Sequence, residues 1–168
     1  MIRKAEAKDH AQLVALYKAV ACVPDGIART PDEVTDDYVT AFMRKAAADG
    51  VQFVYEEDGV IGGDIHASRV GIAALSHLLT DLTIAVAPAC QGKGVGRALF
   101  GALLAEVSEH LPHITRVELF ARESNVKARA LYASLGFVEE GRLRGRVRNS
   151  RGDIEDDAFM GWIRPATP

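Results

Sequence analysis

Residues 91–100 read QGKGVGRALF, with glycine at every second position from Gly92 to Gly96 and a helix-forming, apolar run straight after. Ahead of them Leu78 to Val86 is rich in strand formers, and Pro88 stops that run. A strand, a glycine turn and a helix start, in that order, bring several free backbone amides and the positive end of a helix dipole to one point. Gly92, Gly94 and Gly96 leave the main chain bare enough to approach phosphate oxygens, and Lys93 and Arg97 add positive charge. An anion-binding turn is therefore expected, although the same glycines would also serve a connector without a ligand. Spacing excludes two nucleotide motifs. The segment lacks GxxxxGK followed by Ser or Thr, and its GxGxG is not the GxGxxG that opens the first βαβ unit of a dinucleotide fold.

Ile2 to Ala5 reads as a short strand, and after Asp9 as a cap, Leu13, Leu16, Tyr17 and Val20 recur at helical spacing. Thr30, Pro31, Asp32 and Glu33 form a capping box with proline at the first helical position. A second helix is expected from there, with Val34, Tyr38, Ala41 and Phe42 on one face and Gly50 at its end. VQFVYEEDGVIGGDIHAS reads as an antiparallel pair turning at Asp58-Gly59. From Arg97 the pattern is helical, with Phe100, Leu103, Leu104, Val107 and Leu111 on one face up to Pro112, and RVELFAR follows as a strand. ESNVKARALYASLGF gives a short helix capped by Ser124, with Ala128, Leu131, Tyr132 and Leu135 at helical spacing and Gly136 where a left-handed C-cap belongs. Phe137 to Val147 and Ile154 to Ile163 flank NSRGD as a closing hairpin.

The 168 residues suit one domain over 1–168, with a core from about residue 2 to residue 163. A net charge of −3 gives no reason to expect nucleic acid or an anionic membrane as partner. Cys22 and Cys90 lie outside any CxxC pattern, which suits a reducing compartment. With no signal-like apolar core in MIRKAEAKDH and no long apolar run, cytoplasm is the expected location. The five histidines form no HExxH or similar constellation, so no metal is expected. His66 and His77 flank the join of the third and fourth strands and could touch a substrate, but surface histidines are the plainer reading. A homodimer stays open.

With the motifs in hand, the chain resembles the GNAT superfamily of acyl-CoA-dependent N-acetyltransferases. Gln91, Gly94 and Gly96 match its pyrophosphate signature, and Asn125, Ala128, Leu131 and Tyr132, followed by Gly136-Phe137, match its Asn-x-x-Ala-x-x-Leu-Tyr helix. The resemblance runs from about residue 2 to 163 and is sharp from about 79 to 141. It implies an α/β (α+β) fold: a mixed, mostly antiparallel, twisted sheet of about seven strands, flanked by about four helices and splayed between strands 4 and 5. It implies acetyl-CoA as cosubstrate, pantetheine bonding the strand at Ile84 and Val86, and pyrophosphate against the amides of Gly92, Lys93, Gly94, Val95, Gly96 and Arg97. Asn125 would contact the pantetheine or thioester side, and the Val86 amide would polarise the thioester carbonyl.

Transfer to an amine needs that amine unprotonated, and a lysine-like amine at pH 7 is neutral in about one molecule in 2,500, a handicap of roughly 4.6 kcal/mol. Tyr132 is the expected general acid, since a phenol can donate to a thiolate while neutral at pH 7. Asp81 is the preferred base, acting through a water; Glu118, a water chain or no base at all are the alternatives. Arg142, Arg144, Arg146 and Arg148 fall two apart, hence on one strand face. A three-residue loop at Ser150-Arg151-Gly152 would pair Asn149 with Asp153 and Arg146 with Asp156 and set Arg144 opposite Ala158, leaving Arg142 and Arg144 the most available to a ligand. A solvated hairpin is the competing reading. The end of the chain resembles branches that include phosphinothricin-type and ribosomal-protein N-acetyltransferases, which does not fix the acceptor: a small-molecule amine or a peptide N-terminus. A non-catalytic acyl-CoA sensor and a nucleotide binder are the alternatives to an enzyme.

Overall fold

A computed structural model describes residues 1–165. The strands are β1 Ile2–Lys4, β2 Gly50–Glu57, β3 Val60–Ser68, β4 Leu78–Val86, β5 Arg116–Arg122, β6 Val138–Arg148 and β7 Ile154–Ile163. The α-helices are α1 His10–Ala21, α2 Asp36–Asp49, α3 Val95–His110 and α4 Val126–Ser134. One mixed sheet runs in the order β1-β2-β3-β4-β5-β7-β6, antiparallel except between β4 and β5.

Strand alternation divides the apolar residues between two faces. Val51, Phe53, Ile65 and Ala67 meet Leu99, Phe100, Leu103 and Val107 of α3 on one side. Val54, Ile61 and Ala85 meet Leu13, Leu16, Tyr17 and Val20 of α1 and Val39 and Phe42 of α2 on the other. Asp58 and Gly59 both take positive φ, +52° and +79°, as a tight hairpin turn requires.

The parallel pair β4–β5 is joined only at Leu78–Arg116 and Leu79–Val117. Two residues later β4 bulges: Thr80 stands opposite Ser68 and Thr83 opposite His66, so Asp81 and Leu82 together face Ala67. Asp81 takes φ +51° there. A bulge bends its strand and sharpens the twist, and from this point β4 departs from β5, opening the sheet in a wedge.

Three local expectations shift. The Thr30 N–H does bond the Glu33 carboxylate at 2.8 Å, but that box caps a 3-10 turn over Pro31–Glu33, and Val34 then leaves helical geometry with ψ 84°. α2 starts afresh at Thr35, whose Oγ1 accepts the Tyr38 N–H at 3.1 Å, so the buried face is Val39, Phe42 and Ala46, and Ala41 is exposed. Asn125, rather than Ser124, caps α4, its Oδ1 accepting the Ala128 N–H at 3.1 Å. In the closing hairpin the Asn149 N–H bonds the Asp153 carbonyl at 2.9 Å and Gly152 is left-handed, as the loop chemistry requires. Between Leu143–Asp157 and Val147–Glu155, however, Arg144, Gly145 and Arg146 share the single partner position of Asp156. Gly145 turns to φ +60° and gives its N–H to Asp156 Oδ1. The bulge breaks the arginine stripe, and Arg142, not Arg144, stands opposite Ala158.

Candidate active site

Gly94 is the N-cap of α3, left-handed at φ +81°, and Gly92 is left-handed at φ +73°. A Cβ at either would meet nothing within 4 Å, so the ground above the turn is open. The first helical bond of α3 is Ala98 N–H to the Gly94 carbonyl, which leaves the amides of Val95, Gly96 and Arg97 without helical partners at the positive end of the dipole. Gly96 differs from the other two: its Cβ would make ordinary contact with Leu131 and Ile84, so it lets α3 seat against α4 and β4. Gln91 staples the turn to the strand, donating to the Val86 carbonyl at 3.1 Å. Arg97 donates to Ser134 Oγ of α4 at 2.8 Å, and Lys93 is exposed.

The Ala87 N–H bonds back to Gly62 of β3 at 2.9 Å. Because successive N–H groups of a strand point to opposite edges, those of Val86 and Ile84 point into the wedge left by β5. The wedge opens into a cleft of about 650 Å³ that reaches from Tyr132 and Asn125 of the α4 side through Ile84 and Leu119 to Phe42 and His66 of the α2 side. A smaller hollow of about 470 Å³, lined by Ala5, Met43, Ala47 and Val51 among others, lies away from the glycine turn.

Tyr132 is buried beside Phe100 and Phe137, yet it lines the cleft, and its hydroxyl bonds to no other described residue. Burial disfavours the phenolate and pushes its pKa up to about 12. Asn125 lines the cleft from the tip of α4 with its Oδ1 committed to the cap.

On the opposite wall Asp81 is exposed at the bulge and lies 3.4 Å from Lys45. Glu118 is held by Arg116 at 2.7 Å, outside the cleft lining. His66 lines the cleft and is buried, as is its neighbour Asp64, and their contact at 2.9 Å is a feature the sequence reading passed over. The pattern D-x-H on a strand was the available signal, since it places both side chains on one face. Arg146 lies over the Phe120 ring at 4.1 Å and 3.5 Å from Asp157, whose carboxyl burial pushes up against the pull of Arg146 and Arg122. Arg146 lines the cleft; Arg144, which the sequence favoured, does not. Arg142 is engaged by Glu139 and Glu123. Among the described residues no group of three or more His, Cys, Asp or Glu is placed to hold a metal ion, and no helix is long and apolar enough to cross a membrane.

The family model of the acetyltransferase (GNAT) domain matches residues 48–139, from the end of α2 to the start of β6. Solved structures agree over the whole fold. A ribosomal-protein-alanine N-acetyltransferase from Brucella melitensis is similar with a TM-score of 0.83 at 24% identity, covering 97% of this chain and 99% of that one. A GCN5-related N-acetyltransferase from Kribbella flavida gives 0.84 at 21%, covering 97% and 96%. An acetyltransferase structure from Salmonella typhimurium, solved with its cofactor acetyl-CoA, gives 0.79 at 22%, covering 100% and 96%. At such identities these likenesses speak for the fold.

Proposed function

Since the chain belongs to the GNAT acetyltransferase family, we propose that it moves an acetyl group from acetyl-CoA directly to a primary amine on a small molecule or a peptide N-terminus. The observation that carries this reading is the continuity of three features: unpartnered amides at the start of α3, a free β4 edge beside them, and a buried tyrosine, Tyr132, that lines the same cleft. Pyrophosphate is recognised by the amides of Val95, Gly96 and Arg97, with Lys93 adding charge. Pantetheine then runs along β4 as an added strand, meeting Val86 before Ile84. That direction moves the thioester carbonyl from Val86, favoured on sequence, towards the N–H of Ile84, which lines the cleft where Val86 does not. A preorganised donor of this kind is worth about 3 to 4 kcal/mol to a developing oxyanion.

Tyr132 donates its proton to the departing thiolate. Its raised pKa keeps that proton in place at neutral pH, and the core rings of Phe100 and Phe137 pack against the phenol. Asn125 borders the same end of the cleft and orients the cosubstrate amides through its free Nδ2. The acceptor enters from the α1–α2 side, between Asp81 and Arg146.

Thermal-shift measurements with acetyl-CoA, ATP and NAD, followed by coenzyme A release across amino acids, polyamines, aminoglycosides and peptides with a free N-terminus, test the reading. Stabilisation by acetyl-CoA alone and release with at least one amine are expected. Stabilisation without release from any amine would leave a sensor in place of an enzyme.

A further inference from the structure

The acceptor wall contains a histidine that the thioester and thiolate chemistry leaves unused. His66 is 5% exposed, and its ring stacks on Phe42 with centroids 4.1 Å apart and planes 6° from parallel. Its Nδ1 lies 2.9 Å from Asp64 Oδ2 and 3.2 Å from the Tyr17 hydroxyl. Asp64 is wholly buried and accepts two further bonds, from the Tyr17 O–H at 2.7 Å and from the Gln52 side-chain amide at 2.7 Å. Burial, and then the Asp64 charge, pushes the Tyr17 phenol well above its ordinary range, so Tyr17 keeps its proton and directs it at that carboxylate.

A carboxylate can only accept, so Nδ1 carries a proton, and in the neutral ring, the form that acts as a base, the lone pair is on Nε2. Nε2 has no hydrogen-bond partner among the described residues, and the ring is part of the cleft wall. Register places His66 opposite Thr83, next to Ile84, whose N–H faces the wedge. Cβ atoms of directly opposed residues lie about 5 Å apart, so the ring borders the reacting end of the cleft. Asp81, by contrast, is exposed and already paired with Lys45.

Resting on the acetyltransferase reading, we propose that His66 Nε2 is the general base for the acceptor amine, with Asp64 and Tyr17 as positioning residues. Nε2 takes one proton from R–NH3⁺ and later passes it to solvent. The freed amine nitrogen forms a bond to the thioester carbon, and the carbon–sulfur bond breaks. Tyr132 protonates the leaving sulfur and recovers a proton from the nitrogen, leaving the amide and the free thiol.

The test uses H66Q, which keeps size and polarity, and H66G, which leaves room for added imidazole, with the panel amine that the parent protein acetylates fastest. H66Q lowers kcat about 10²-fold or more while acetyl-CoA affinity stays within a few fold, the loss expected of a missing acid–base group. H66G loses as much and regains turnover with imidazole, and nitrogen-15 NMR of the parent shows His66 protonated on Nδ1. Parental turnover in folded H66Q that binds acetyl-CoA normally, or an Nε2–H tautomer in the parent, overturns the assignment and leaves the acetyltransferase reading intact. A parent protein that acetylates no amine of the panel removes that reading, and the base with it.

Discussion

The two faces of the sheet supply their ligand-facing atoms by different means. On the α3–α4 face they are main-chain amides, fixed by a left-handed Gly94 and by a strand edge that has lost its neighbour. On the α1–α2 face they are side chains drawn from the segment between α1 and α2, from α2, β3 and β5 and from the β6–β7 hairpin, and held by their own hydrogen bonds and ion pairs. On the proposed function, the first arrangement would recognise what every acyl-CoA shares. The second can be rewritten residue by residue without disturbing the first, which makes it the place where an acceptor is chosen.

Tyr132, where the faces meet, should give the largest effect outside the acceptor wall. Tyr132→Phe is expected to lower kcat about 10²-fold or more with acetyl-CoA affinity within a few fold, measured by steady-state kinetics and calorimetry. Its pKa also sets a pH limit. Burial favours the neutral phenol, so the proton is lost only as pH climbs towards about 12, and kcat should show no fall centred on the ordinary phenol value near 10. Such a fall would mean that the ring is better solvated than its packing indicates.

Gly94→Asp should separate cofactor binding from folding. Its side chain has open space and costs only the left-handed backbone, about 1 kcal/mol. The carboxylate would sit where the pyrophosphate is proposed to lie and weaken acetyl-CoA binding about tenfold or more. Unchanged affinity would remove the glycine turn from the cosubstrate site.

Arg146→Ala is expected to raise the acceptor KM about three- to tenfold with acetyl-CoA affinity untouched, because its guanidinium, beside Asp157 and Phe120, lines the part of the cleft proposed for the acceptor. Arg144→Ala should change neither, and the reverse order would restore the unbroken arginine stripe. The smallest effect falls on folding: Thr35→Ala removes the α2 cap and should cost about 1 kcal/mol in denaturant unfolding, whereas Thr30→Ala should cost less because it caps a single turn.

The cofactor face was legible because local sequence specifies it. Gly136 is left-handed where a C-cap was expected, the glycine turn leads directly into α3, and RVELFAR coincides with β5. The other face was obscured by features that local pattern does not encode. Thr30 and Glu33 have the spacing of a capping box whether one turn or a whole helix follows, and only the break at Val34 separates the two outcomes. Regular pairing set Arg144 opposite Ala158 and left it, with Arg142, unneutralised, but Gly145 absorbed a bulge, and it is Arg146 that lines the cleft. His66 looked like a surface histidine because its partner Tyr17 lies 49 residues away in the chain. Asp64, two positions off, was within reach of a strand argument.

Asp25 ties the acceptor wall together across the whole chain. Its carboxylate accepts from Arg122, 97 residues on, and from both the backbone and the hydroxyl of Ser150, 125 residues on. Contacts of such separation carry a large loop-closure cost and form after local ones. The tether itself is a few polar bonds near the surface, the kind that open without global unfolding. The acceptor wall should therefore be the last part of the fold to close and the first to let go. In native-state hydrogen exchange the Ser150 amide should exchange through local opening, while that of Leu103 in the α3 core waits for the whole molecule to unfold. Asp25→Ala should speed the first and leave the second nearly unchanged; on the proposed function, such a wall would let acceptors come and go while the cosubstrate stays held.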